Sequence, residues 1–289
     1  MSHVLTLVAD RAATTLTAPT IERVREATGG DTPILLAPGE AADIPLPAPP
    51  NMEIVRAVLQ GAAIDAVPVP IRNRRKLLLI ADMDSTIVTG ETLDELADFA
   101  GLKQPIAAIT RRSMNGEIDF ADALRERVAM LRGLSLEALD KTWDRMRLTP
   151  GARELVATMQ AHGTVTALVS GGFTFFTDRV AAQLGFDLHR ANVLLHDGLA
   201  LTGRVAEPIL DRDAKLQTLR LLTKQHGIDL IDTLAVGDGA NDLEMLRAAG
   251  LGIAFHAKPI VAAEARARVD HGNLRALLFA QGYRAEEIL

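Results

Sequence analysis

The chain has 289 residues, room for two domains at the usual ~100–200 residues each. Hydrophobic residues make up 48% and charged residues 24%, the profile of a globular protein with a real core, and a formal net charge of −6 offers no basic face to nucleic acid or an anionic membrane. The lack of cysteine excludes disulfides, cysteine-bound zinc and thiol chemistry; no apolar run nears the ~18 residues of a span, and MSHVLTLVAD is too short and too soon acidic for a signal peptide, so a cytoplasmic protein with a small-molecule partner is expected.

Residues 1–75 read as a separate unit: a strand at HVLTLVAD, a helix across TIERVREATGG, a strand at TPILLAP, a Pro-rich connection, a helix near NMEIVRAVLQ and a strand at AIDAVPVPI. That order resembles a small α+β domain of the ACT or ferredoxin-like kind. It shows no ligand motif, so packing or oligomerisation, including a homodimer formed through this unit, is the expected role. The basic run RNRRK at 72–76 reads as a solvated link.

From residue 76 to 289 apolar strands (LLLIAD, TALVSGG, TLAVGD, LGIAF) alternate with helical stretches, which predicts an α/β, Rossmann-like parallel sheet with ligands gathered at the carboxyl ends of its strands. A long insertion at about 91–148 has helical periodicity in TLDELADFAG, QPIAAITRRSM, FADALRERVAMLRG and SLEALDKTWDRM, and is expected to form a helical cap. The stretch ANVLLHDGLALTG alternates around Asp197-Gly198 and reads as a hairpin.

The chemistry-bearing residues fall at those strand ends. Asp82 and Asp84 form D-x-D, and residues two apart on extended chain point the same way. Two close carboxylates need a positive partner, for which a metal ion is the natural candidate, although paired acids are also common on ordinary surfaces. GDGAND brings Asp238, Asn241 and Asp242 after TLAV, with glycines that allow a tight turn and hard oxygens that suit Mg2+; a plain turn with Asp242 as helix cap is the competing reading. Ser170-Gly171-Gly172 offers a hydroxyl and backbone N–H groups to an anion, and Lys215 a point charge for a phosphoryl oxygen, although such a turn is often only a turn and such a lysine often solvated.

Taken in order, DMDST, SGG, the lysine of DRDAK and GDGAND resemble the four motifs of the haloacid dehalogenase superfamily of phosphohydrolases, over about residues 76–270. Glu91 in VTGET, Met114 in RRSMNG, and Phe120 and Arg127 in FADALRERV resemble the cap residues of its phosphoserine phosphatase family. The resemblance implies Asp82 as nucleophile forming an aspartyl-phosphate and Asp84 as general acid and then base. It implies Mg2+ held by the Asp82 carboxylate, the Asp84 carbonyl and Asp238, with Asp242 in support. Ser170, Gly171, Gly172 and Lys215 would hold the phosphoryl oxygens, with Asn241 near the substrate. Glu91 would meet the ammonium and Arg127 the carboxylate of O-phospho-L-serine; without the resemblance, Arg127 reads as a helix-surface partner of an acid such as Asp122. The expected function is Mg2+-dependent hydrolysis of phosphoserine in L-serine biosynthesis. Its rivals are a phosphotransferase or phosphatase of the same fold acting on another small phosphate, and a slow phosphoserine-sensing binding protein.

Overall fold

The computed structural model describes residues 1–114, 117–211 and 213–289. Its N-terminal part runs β1 (His3–Ala9), α1 (Ala18–Thr28), β2 (Ile34–Ala37), β3 (Ala41–Leu46), α2 (Met52–Leu59) and β4 (Ile64–Pro70), with the strands in one antiparallel sheet of order β2-β3-β1-β4. Strand β3 lies in what the sequence presents as a Pro-rich connection. Pro45 is tolerated there because the Asp31 N–H meets the Pro45 carbonyl on the side facing β2, and the β2 ladder has already ended at Asp43; no ladder bond is lost to the missing N–H.

The near-continuous apolar run of β1 has a structural cause. Leu5, Leu7 and Ala9 pack under α1 and α2, while Val4 and Val8 point into the core shared with the rest of the chain. Val67 and Val69 of β4 join that second core. The segment 72–76 is therefore only partly the solvated link the sequence suggests: Arg72, Asn73 and Arg75 are exposed, while Arg74 and Lys76 turn inward. Arg74 donates to both oxygens of Asp43, at 2.6 and 2.7 Å, and to the carbonyls of Ala280 and Phe279; buried Lys76 donates from Nζ to the Ile231 carbonyl at 2.7 Å. These bonds compensate charges that would otherwise be costly to bury.

The second part begins at β5 (Leu78–Ala81), followed by an irregular turn and β6 (Val88–Thr89). The insertion supplies α3 (Thr92–Phe99), α4 (Lys103–Met114), α5 (Phe120–Met130) and α6 (Glu137–Arg145), and returns through β7 (Arg147–Leu148). Strands β6 and β7 pair as a two-rung stem, Val88 with Leu148 and Thr89 with Arg147, so the expected cap leaves and re-enters the core at one place. Its helices close around Leu96, Ile106, Leu124, Val128 and Leu139.

There follow α7 (Ala152–Ala161), β8 (Val165–Phe173), α8 (Thr174–Leu184), β9 (Leu188–Asn192) and a hairpin of β10 (Leu194–His196) with β11 (Leu201–Val205), turning at Asp197-Gly198 as expected. The hairpin also touches the cap: the Gly133 N–H meets the Leu201 carbonyl, and Arg125 pairs with Glu207 just beyond it. The chain ends through α9 (Ala214–His226), β12 (Thr233–Gly237), α10 (Leu243–Ala248), β13 (Leu251–Phe255), α11 (Pro259–Glu264), β14 (Ala267–Val269) and α12 (Ala276–Ala280).

The six-stranded sheet has order β14-β13-β12-β5-β8-β9, parallel throughout. From β5 the chain winds outward one way through β8 and β9 and the other way through β12 to β14, so the crevice at the carboxyl end of β5 is the switch point where ligands bind in such sheets. Between the two parts, Asp65 of β4 accepts backbone N–H bonds from Asp270, His271 and Gly272, and Glu40 pairs with Arg275. Among the described residues, no helix is long and apolar enough to cross a membrane.

Candidate active site

Strand β5 is wholly buried, and the next N–H, that of Asp82, still bonds to the Val236 carbonyl at 3.0 Å, which fixes the first aspartate at the lip of the sheet. Asp84 also keeps extended backbone, while Ser85 takes a left-handed conformation (φ 54°) and turns the chain away. Met83 between them is fully buried, so the alternation carries both aspartates to the crevice and the methionine into the core.

The two carboxylates then acquire different partners. Asp82 Oδ1 lies 2.6 Å from Lys215 Nζ, which also donates to Asp242 Oδ1 at 2.5 Å. Asp84 turns toward the cap and accepts the Thr92 N–H at 3.0 Å and the Thr92 hydroxyl at 3.3 Å, with Ser170 Oγ at 3.5 Å. It thereby satisfies a free N–H in the first turn of α3 and ties the cap to the sheet.

Electrostatics follow from burial. Asp82 is pushed well above the ordinary carboxylate range by burial, against the pull of the Lys215 ammonium. Asp84 is raised to about 7 by burial and by the like charge of Glu91, with the Thr92 hydrogen bonds opposing. Asp238 is raised to about 6 by burial, with Lys258 opposing. Burial disfavours the charge of Lys215, yet the Asp242 and Asp82 carboxylates hold its ammonium above the usual lysine range.

The carboxylates of Asp82, Asp238 and Asp242 offer oxygens within 4.8 Å of one another, all on buried residues. This is a hard-oxygen set that fits a divalent cation such as Mg2+. Asp242 is already committed: Oδ1 to Lys215 and Oδ2 to the Gly239 N–H at 2.9 Å. It comes so close to the strand end that a side chain at Gly237 would meet its Cγ at 2.3 Å, which is why glycine stands there. Asn241 lies beside it in the same turn, half-buried.

On β8, Ser170 is buried and its Oγ accepts the Gly172 N–H at 2.9 Å. A Cβ on Gly172 would lie 3.0 Å from Asp84 Oδ2, and one on Gly171 would lie 3.3 Å from Phe120 at the start of α5, so both glycines keep the crevice open. The Met114 side chain lies outside the described residues. Glu91 accepts the Ser85 hydroxyl at 2.9 Å. Arg127 does not pair with Asp122, whose partner is Arg125; it donates to the Ala123 carbonyl and the Thr110 hydroxyl, at 3.1 and 3.3 Å, and among the described residues it has no salt bridge. Burial lowers its pKa, with Asp94 and Glu91 opposing.

Three site residues have no place in the sequence reading. Thr92 comes after Glu91 at the start of α3, eight residues beyond Asp84, and its hydroxyl at a helix start is a usable signal. Asn192 donates to the Gly171 carbonyl and accepts the Leu210 N–H, and nothing local marks it; Ser170-Gly171-Gly172 is not the strand-ending turn the sequence suggests but an irregular stretch inside β8, where the pairing with β9 shifts register between Val169 and Phe173. Lys258 places Nζ 3.6 Å from Asp238 Oδ2; in LGIAFHAK it stands just past the end of an apolar strand, the position that also marks Asp82 and Asp238.

The sequence signature of haloacid dehalogenase-like hydrolases matches residues 79–247. A phosphoserine phosphatase of Streptomyces coelicolor is 42% identical over 233 residues, 80% of this chain and 57% of that protein, so the chain spans less than two thirds of that relative. One of Albidiferax ferrireducens is 44% identical over 228 residues, 77% of this chain and 96% of that protein. The crystal structure of a haloacid dehalogenase family hydrolase, t0658 of Salmonella enterica serovar Typhi, superposes with a TM-score of 0.85 at 30% identity, covering 97% of this chain and 98% of that one.

Proposed function

The chain belongs to the haloacid dehalogenase-like hydrolases, and within them we propose that it is an Mg2+-dependent phosphoserine phosphatase, releasing L-serine and phosphate as a step of serine biosynthesis. The observation that carries this reading is the division of labour in D-x-D: Asp82 is held by an ammonium, Asp84 by a hydroxyl and an N–H under the cap.

A carboxylate oxygen of Asp82 attacks phosphorus, the bond from phosphorus to the serine oxygen breaks, and Asp84 gives its proton to that departing oxygen. Water then attacks the phosphorus of the aspartyl-phosphate, the bond to Asp82 breaks, and the Asp84 carboxylate takes the water's proton. A value of about 7 suits Asp84 to both duties near neutral pH. Ser170, the Gly171-Gly172 stretch of β8 and Lys215 hold phosphoryl oxygens, with Asn241 beside them. Asp82, Asp238 and the Asp84 carbonyl would hold Mg2+, with Asp242 steadying the turn and Lys215; the ion would neutralise phosphoryl charge. Glu91 receives the substrate ammonium and Arg127 its carboxylate, with Phe120 against Gly171. Among the described residues half-buried Arg127 has no salt bridge, and only its Nε and Nη1 are engaged, by neutral oxygens; a guanidinium without an anionic partner supports that role.

We further propose that residues 1–75 form an ACT or ferredoxin-like domain, supported by the βαββαβ order and sheet order β2-β3-β1-β4, and that 76–289 form the catalytic domain with its cap at about 91–148. Two copies pair through the N-terminal domain, for which the open edge of β2, with Ile34 43% and Leu35 51% exposed, is the support. The setting is cytoplasmic, in keeping with a cysteine-free chain.

The test is phosphate release from a panel of small phosphate esters, with and without EDTA. O-phospho-L-serine should exceed the others and EDTA should stop it; equal rates across the panel would refute the substrate assignment.

A further inference from the structure

The two lysines of the site are held differently. Lys215 is 3% exposed on its side chain and bonded to two carboxylates, so it is a permanent part of the acidic cluster. Lys258 is 41% exposed and reaches a single carboxylate oxygen, Oδ2 of Asp238, at 3.6 Å. Its main chain is nevertheless fixed. The Lys258 N–H donates to the Asp238 carbonyl at 3.1 Å, and the His256 N–H to the Val269 carbonyl at 2.8 Å. His256, in a left-handed conformation (φ 43°), also places its Nε2 at 2.7 Å from the Gly272 carbonyl. Pro259 then starts α11. The stem of Lys258 thus springs from a rigid point beside Asp238, while its head is free to swing into water.

Resting on the metal centre proposed above, we infer that Lys258 is the resident counter-cation of Asp238: it aims that carboxylate into the site before a divalent ion arrives and weakens the site's affinity by competing for Oδ2. Asp82, Asp84, Asp238, Asp242 and Glu91 gather at this crevice, and Lys215 is engaged with only two of them, Asp82 and Asp242. Among the described residues, Lys258 is the side-chain ammonium that reaches Asp238, and it can leave when a stronger cation takes its place. It is a positioning residue, making no contact with the reacting atoms.

The experiment measures Mn2+ binding to the full chain by the loss of free-ion paramagnetic resonance signal, in K258M, K258Q and K258R. The first two remove the charge and keep the backbone N–H that anchors the segment; K258R keeps the charge. K258M and K258Q should bind Mn2+ about three- to tenfold more tightly than wild type at low salt, with K258R near wild type. The gap should close at high ionic strength, which a merely structural role would not produce. Mn2+ affinity unchanged or weakened in folded K258M or K258Q overturns the inference. No uptake by the wild type overturns the metal centre as well, so the two failures are distinguishable.

Discussion

Thr92→Val removes one hydroxyl from the cap and leaves its shape and backbone N–H in place. Asp84 then keeps the bond from the Thr92 N–H at 3.0 Å and loses the one from the hydroxyl at 3.3 Å. A hydrogen bond to a charged group contributes ~1.5–3 kcal/mol at good geometry. At 3.3 Å the O–H···O contact is longer than the usual ~2.7–2.8 Å, so about 1 kcal/mol is a fair allowance. The bond stabilises the ionised carboxylate, and its loss raises the pH at which Asp84 gives up its proton by about 0.7 of a pH unit, at 1.36 kcal/mol per unit. Asp84 must carry a proton for the first half-reaction, so the limb of the kcat/KM profile that reports its ionisation should move to higher pH. Phosphate release from phosphoserine at saturating Mg2+ between pH 5 and 9 measures it. A limb that stays put, or moves down while the variant remains folded, would refute the assignment of Asp84 as the acid and Thr92 as its anchor.

Asp82→Asn should abolish turnover with the circular dichroism spectrum unchanged, because an amide cannot form the acyl phosphate; residual activity with deamidation excluded by mass spectrometry would sink the nucleophile assignment. Ca2+, larger and less demanding of octahedral geometry, should bind without supporting turnover, and full activity with Ca2+ after chelation of Mg2+ would contradict the in-line arrangement. Arg74→Ala should cost ~3–5 kcal/mol of stability by leaving buried Asp43 without its cation, read as a large fall in denaturant midpoint; a loss under 1 kcal/mol would show that the junction is held by apolar packing alone. Asp84 and Asp238 are raised to about 7 and about 6 from 3.8, so the folded, metal-free chain binds more protons than the unfolded one between those values, and its Tm should fall as pH rises through that window; a Tm rising across it would count against buried, uncompensated carboxylates.

Local pattern was enough for a good deal of this molecule. The apolar runs ending in DMD and GDG mark strand ends because a strand buried on both faces has to be apolar until it emerges, whereas Ser-Gly-Gly stays inside β8 as an irregular stretch; helical periodicity marks the cap because its amphipathic helices have to close a core of their own. D-x-D also carries its geometry in its spacing, since extended chain alternates sides through Asp82, buried Met83 and Asp84. What sequence could not decide is which charges are buried and with whom. RNRRK reads as solvated because an unpaired buried charge is costly, and Arg74 escapes that cost through Asp43, 31 residues away, and through carbonyls more than 200 residues on. The same is true of Lys215 between Asp82 and Asp242 and of Lys258 beside Asp238. Each pairing joins segments that only the folded sheet brings together, and the free energy of a charge depends on its partner and its exposure, neither of which is a property of the neighbouring letters.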